Sequence, residues 1–285
     1  MLCKKPYTIG IKIFGCTQCL PCRINRQRLW SHRMLLESYK HSKNAFVTLT
    51  YSDDFIPEGS TLVPSDTQKW LKRLRKAVSP TAFRYYLVGE YGDRTERPHY
   101  HAAIFGLGIE DSELINSTWS RGHTYTGDLT KDSAAYIAGY VTKKMTSKND
   151  PRLKGRHPEF ARMSLRPGIG ATAISDIADT FTTDIGCEQL INMGDVPGVL
   201  QHGPKKQPLG RYLKGKLREF LTGSKETPEI SRLKWAAELQ EMHKELKKKP
   251  ENTSKSFAAM LVSENEAKAL QLETRHKLYK KKGDL

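Results

Sequence analysis

No run of about 18 apolar residues occurs along the 285-residue chain, so no membrane-spanning helix is expected. The opening MLCKKPYTIG carries lysines but no apolar core segment, and a secretory signal peptide is not expected either. Cysteine is scarce and odd in number, five in all, which speaks against a disulfide framework and for a reducing compartment. Acidic residues are in deficit, 31 Asp and Glu against 47 Lys and Arg, leaving a net charge of +16. Apolar residues make up only 38% of the chain, so the core is modest for this length. What remains is a cationic surface, which gains by displacing the counterions of a nucleic acid. An anionic membrane surface, or solubility alone, is the other use of such charge.

The chain shows no internal repeat and divides into four stretches. Residues 1–40 hold a cysteine cluster, CTQCLPC, and a basic helical run, RINRQRLWSHRMLLESY. Residues 41–150 alternate strand and helix signals. NAFVTLTYS (44–52), FRYYLVGEYG (83–92), PHYHAAIFG (98–106) and GHTYTGDL (122–129) read as strands. Between them, Trp70, Leu71, Leu74 and Val78 recur at helical spacing behind Ser65 and Gln68, which have capping-box spacing. DSELINSTWS reads as a short helix, and DSAAYIAGYVTKKM as a longer one capped by Asp132 or Ser133. The order β-α-β-β-α-β-α predicts an α+β fold, an antiparallel sheet with helices packed on it. Residues 151–208 read as long loops with short elements, and 209–285 as charged and mostly helical. This tail could bind DNA, oligomerise or recruit a host protein.

The chemistry concentrates in RPHYHAAIFG (97–106). On a strand, His99 and His101 share one face, about 6.5–7 Å apart. If Glu90 opposes His99 across the preceding hairpin, Val88 opposes His101 and three polar side chains converge. Two imidazoles and a carboxylate with open positions suit Mg²⁺ or Mn²⁺, and Zn²⁺ on ligand type alone. Otherwise they are incidental polar residues on a strand. On the helix that follows, Ala134, Ile137, Ala138, Val141 and Met145 fall on one face at 100° per residue. Tyr136, Tyr140, Lys143 and Ser147 form a separate stripe. That stripe is either an amphipathic surface or a reactive row, since a phenol needs a neighbouring cation to become a nucleophile.

FVTLTY, GEYGDRTERPHYHAAIFG and YIAGYVTKK, in this order and spacing, resemble the three motifs of the HUH endonucleases. The similarity is greatest to rolling-circle replication initiators of gokushovirus-type microviruses, which also share CxxCxxC before a basic helix and MSLRPGIG (163–170). The likeness covers about residues 1–170 and implies a ferredoxin- or RRM-like core. It further implies a two-tyrosine nickase in which Glu90, His99 and His101 hold the catalytic ion. Tyr136 or Tyr140 would form a 5′-phosphotyrosine on single-stranded DNA, and Lys143 would stabilise the developing charge. A basic residue often precedes the second tyrosine in that family, and this chain has Gly139 there. The implied partners are a single-stranded origin and host replication proteins, in the host bacterial cytoplasm.

Cys16, Cys19 and Cys22, completed by Cys3 or His32, have ligand spacing for structural zinc. An iron–sulfur run would carry a distinct fourth cysteine followed by proline, which is missing. Cys187 is isolated. Arg97, Lys144, Lys72 and Arg73 are candidate DNA contacts, and Phe46, Tyr85, Tyr86 and Tyr100 candidate base-stacking residues. The other histidines show no constellation. Two rival readings remain: a transposase or relaxase with the same nicking chemistry, and a nucleic-acid-binding protein without catalysis.

Overall fold

A computed structural model describes residues 2–10, 12–92, 95–140 and 149–282, with side chains through 278. A short hairpin, β1 (Tyr7–Ile9) and β2 (Lys12–Phe14), leads into α1 (Leu20–Ser38). The central run is β3 (Asn44–Tyr51), α2 (Pro64–Ala77), β4 (Arg84–Tyr91), β5 (Pro98–Phe105), α3 (Ser112–Trp119), β6 (Gly122–Asp128) and α4 (Lys131–Tyr140). This is the β-α-β-β-α-β-α order expected from the sequence. The α+β class is observed too, with an antiparallel sheet, packed helices, an N-terminal cysteine cluster and a helical C-terminal region.

Residues 151–208 hold more structure than the sequence suggested. They contain β7 (Phe160–Met163), α5 (Ile174–Asp179), α6 (Asp184–Met193) and a hairpin of β8 (Val199–His202) and β9 (Lys205–Pro208). Then come α7 (Gly210–Thr222), α8 (Glu229–Lys247) and α9 (Phe257–Lys282). β7 joins the main sheet, whose five strands run β6-β3-β5-β4-β7, each neighbouring pair antiparallel.

Period-2 alternation divides the sheet into two faces. Ala45, Val47, Leu49 and Tyr51 of β3 and Tyr100, Ala102 and Ile104 of β5 point one way, against Trp70, Leu71 and Leu74 of α2 and Ile115 and Trp119 of α3. Phe46, Tyr86, Val88, Ala103 and Phe105 point the other way, against Met34 of α1 and Ala134, Ile137 and Ala138 of α4. α1 also closes a third cluster, in which Leu36 meets Ile174, Ala178, Leu213 and Leu217 of α5 and α7. The MSLRPGIG segment belongs to this seam. Arg33 Nε donates to the Ile169 carbonyl at 2.9 Å, and the buried Glu37 carboxylate accepts from Gly170 N–H at 2.6 Å.

Local signals were less reliable than periodicity. α2 starts at Pro64, with Val63 as a cap lacking any side-chain hydrogen bond, so Ser65 and Gln68 form no capping box. Proline at the first helical turn needs no donor partner and sets the helix start instead. α4 is capped by Thr130, whose Oγ1 accepts from Ser133 N–H at 3.2 Å while Ser133 Oγ accepts from Thr130 N–H at 2.7 Å. Among the described residues no helix is long and apolar enough to cross a membrane.

Candidate active site

The ladder pairs Glu90 with His99 and Val88 with His101, the register the hairpin spacing implied. β3 lies on the other side of β5, with Thr50 opposite His99 and Thr48 opposite His101. β6 completes the rows with His123 and Tyr125. The face therefore carries His123–Thr50–His99–Glu90 in one row and Tyr125–Thr48–His101–Val88 in the next.

Hydrogen bonds orient both imidazoles. His99 Nδ1 lies 2.7 Å from the Arg97 carbonyl, which only accepts, so the proton sits on Nδ1 and Nε2 keeps its lone pair. His101 Nδ1 meets Thr48 Oγ1 at 3.0 Å, and its Nε2 meets Glu90 Oε1 at 3.0 Å. The threonine hydroxyl can donate or accept, so it serves either tautomer of His101. Glu90 thus reaches diagonally to His101 rather than straight across to His99. Burial lowers the His99 pKa, and the neighbouring His101 adds to this.

α4 closes the face from above. Ala134, Ile137 and Ala138 are fully buried, as their expected core face requires. The tyrosines project beside them. The Tyr140 ring lies parallel to His101, centroids 4.9 Å apart, and the Tyr136 ring meets His101 edge-on at 5.4 Å. The two phenols touch at 4.7 Å between centroids. Burial pushes the Tyr140 phenol well above its usual range, and the Glu90 carboxylate reinforces this. Tyr136 is 50% exposed. Gly139 faces α1, where an added Cβ would come 3.2 Å from Gln27 Nε2, so position 139 is turned to the helix seam.

These residues line a cavity of about 790 Å³ together with Phe46, Tyr125, Asp128, Asp132 and Ser133. Its described lining has three carboxylates, Glu90, Asp128 and Asp132, and neither Lys nor Arg. Such a wall attracts cations and repels a bare phosphate. The donor set fits a divalent ion, since both Nδ1 atoms are held by oxygen partners in the manner of metal-ligating histidines. The set is loosely gathered: the His99 and His101 rings are parallel with centroids 6.5 Å apart. Among the described residues, only Cys3, Cys16, Cys19 and Cys22 bring three or more such ligand atoms within 4.8 Å of one another.

The remaining candidates are scattered. Lys143 and Lys144 lie outside the described residues. Arg97 bonds the Tyr51 carbonyl at 2.7 Å and Asp53 at 2.8 Å. Lys72 and Arg73 sit on α2, across the sheet from the cavity, and Arg73 Nε donates to the Thr118 carbonyl at the end of α3, at 2.8 Å. Tyr86 and Tyr100 are enclosed in the core and present no face to a base. Tyr85 packs on the α2 side, and Phe46 alone of the four borders the cavity. His32 is remote from the cysteines as a ligand: its Nε2 meets His202 Nε2 at 2.9 Å and its Nδ1 the Pro208 carbonyl at 2.8 Å. Sequence reasoning missed Tyr125, which is 62% exposed and lies over Gly127, where a Cβ would meet its hydroxyl at 3.0 Å. The Tyr-x-Gly spacing on an edge strand was the available signal.

Residues 44–145 match the family described as Replication-associated protein ORF2. The chain is 34% identical over 159 residues to Replication-associated protein VP4 of Bdellovibrio phage phiMH2K, covering 48% of this chain and 50% of that one. It is 35% identical over 178 residues to Replication-associated protein ORF2 of Spiroplasma virus 4, covering 54% and 55%. It is 26% identical over 152 residues to Replication-associated protein ORF4 of Chlamydia phage 1, covering 45% and 38%. The chain thus spans about half the length of the first two relatives. No solved structure matches. By these matches the chain is a relative of the microvirus replication-associated proteins, joined to them through the segment that fits this family.

Proposed function

We propose that the chain initiates viral rolling-circle replication by nicking and rejoining single-stranded DNA at an origin, through a tyrosine–phosphate intermediate and with a divalent cation. The observation that carries this reading is the stack of Tyr136 and Tyr140 on His101 beside Glu90. A purely binding surface has no use for two phenols placed on a histidine–carboxylate pair. The names of the relatives point to the same biology.

Glu90, His99 and His101 would hold Mg²⁺ or Mn²⁺, which when bound polarises a phosphodiester and reverses the sign of an otherwise acidic cavity. Tyr140 or Tyr136 supplies the attacking oxygen. As its bond to phosphorus forms, the bond from phosphorus to the 3′ oxygen breaks. The products are a 5′-phosphotyrosine and a 3′-hydroxyl able to prime a polymerase. The phenol proton must leave during attack, and Glu90, which already interacts with the Tyr140 hydroxyl, is placed to receive it. No water is consumed, so the reverse reaction rejoins the strand. Two tyrosines allow one to hold the parental end while the other cuts the completed unit. Lys143 and Lys144 remain the candidates for stabilising phosphate charge.

Incubation of the full chain with Mn²⁺ and a labelled single-stranded origin oligonucleotide should yield a covalent protein–DNA adduct that EDTA suppresses. Replacing both Tyr136 and Tyr140 by Phe should abolish it. An undiminished adduct in that variant would overturn the assignment. Replication of a circular template bearing the origin separates an initiator from a transposase or relaxase with the same chemistry.

A further inference from the structure

Four cysteines near the start of the chain play no part in the chemistry above. Cys3 precedes β1, Cys16 follows β2, Cys19 caps α1 and Cys22 lies in its first turn. All four are free thiols. Their sulfurs lie within 4.8 Å of one another, and Cys19 Sγ is 3.8 Å from Cys3 Sγ. At a Zn–S distance of about 2.3 Å, the edges of a tetrahedron of sulfurs are about 3.8 Å long.

The surroundings are arranged for negative sulfur. Backbone N–H groups of Cys16 and Lys5 point at Cys3 Sγ at 3.2 and 3.4 Å, and that of Cys19 points at Cys16 Sγ at 3.3 Å. A neutral thiol is a weak acceptor, so donors aimed at it gain most when it is a thiolate. Arg23 interacts electrostatically with Cys19, while its buried Nε has no hydrogen-bond partner. Four converging thiolates without a cation would repel one another strongly; a bound divalent ion removes the conflict.

The cluster also sits where distant parts of the chain meet. Leu2, Cys3 and Lys4 border a cavity of about 270 Å³ whose other wall is α9, including Val262, Ala269 and Leu270. Lys4 Nζ bonds Glu273 of α9 at 2.6 Å. Residues 2–5 hold no buried apolar residue besides Cys3, so the segment has little of its own to keep it in place.

We propose that Cys3, Cys16, Cys19 and Cys22 form a closed tetrathiolate zinc site that fastens the N-terminal segment to α1 and so seats α9. With no open position it is structural, and its binding energy is folding energy for this corner. It stands independently of the nicking reaction.

The test uses the full chain purified under reducing conditions without chelator. Metal analysis should find one zinc per chain and no iron, and cobalt substitution should give the intense visible bands of a tetrahedral thiolate site. Cys187→Ser should keep the metal and Cys16→Ser should lose it. If Cys16→Ser does not fold, stoichiometric zinc release on mercurial titration of the unaltered chain answers the same question. Chain without zinc and without a cobalt spectrum overturns the site, and iron with visible absorption overturns its identity as zinc. On zinc removal, hydrogen exchange should rise about tenfold or more in residues 2–5 and α9 while the main sheet stays protected. Unchanged exchange in α9 overturns the fastening role.

Discussion

The two faces of the main sheet are made by the same strands and do opposite things. Along β5, Tyr100, Ala102 and Ile104 enter the core under α2 and α3, while His99 and His101 open into the cavity under α4. On the closed side the hydroxyls turn inward: Tyr51 bonds Asp66 at 2.9 Å and Tyr100 at 3.0 Å, and Tyr100 accepts from Val63 N–H at 2.8 Å. On the open side the same alternation sets imidazoles and a carboxylate along the cavity wall. Because the side-chain period is 2, a slip of one residue would drive both histidines into the core. The apolar face therefore fixes the register that the polar face uses, and stability and chemistry are divided between neighbouring residues of one strand.

The sharpest way to break this division is to alter one face and measure both properties. His99→Ala should lower adduct formation about 10³-fold, because a lost ion ligand removes several kcal/mol of transition-state stabilisation. Its stability in denaturant titration should change by no more than about 1 kcal/mol, since His99 is only half-buried. Trp70→Ala on the closed face should reverse the pattern. Trp70 is fully buried between α2 and the sheet, and its removal should cost about 3–5 kcal/mol of stability. The folded fraction of that variant should nick at the normal rate. Should both variants lose both properties in proportion, the faces are not independent.

This division was largely legible in the sequence, because it rests on local periodicity. The β-branched and aromatic runs gave the strands, and the nine-residue step from Glu90 to His99 gave the pairing. What the residues could not give was non-local. The basic face of α2 reads as a DNA contact until the fold places it across the sheet, with Arg73 turned to α3. Phe-Ala-Arg-Met carries too little β signal to mark β7, which is a strand because β4 offers an unpaired edge. His32 finds His202 from 170 residues away, a distance no spacing rule spans.

A contrast of two carboxylates sharpens the comparison further. Glu90 is buried beside a cavity with an imidazole for a partner, whereas Asp195 is held for structure alone. Burial opposes the charge of Asp195, but the Arg218 fork at 2.7 Å and Lys214 at 3.0 Å outweigh it and bring its pKa down to about 2. A depressed native value means stability that is present above the unfolded value near 3.8 and lost as pH falls through about 2. Acid titration should therefore remove about 2 kcal/mol over that window, and Asp195→Asn should flatten this part of the profile. A profile unchanged by that substitution would mean the pairing contributes nothing.

The smallest effect should come from the rim of the open face. Tyr125 has no place in the proposed bond-making, yet it stands exposed beside Phe46, ring centroids 6.2 Å apart, at the cavity wall nearest Thr48 and His101. An exposed phenol on an edge strand has little to gain from water. A nucleobase next to the scissile phosphate would cover it, and such stacking is worth about 1–3 kcal/mol per base. Tyr125→Ala should accordingly raise the KM for the origin oligonucleotide about 5- to 100-fold while leaving kcat within about twofold, and Tyr125→Phe should restore the affinity. That split belongs to a residue that grips the strand and not to one that reacts. If kcat falls with KM unchanged, the open face has a third reactive phenol, and the division between holding and cutting within the cavity is drawn in the wrong place.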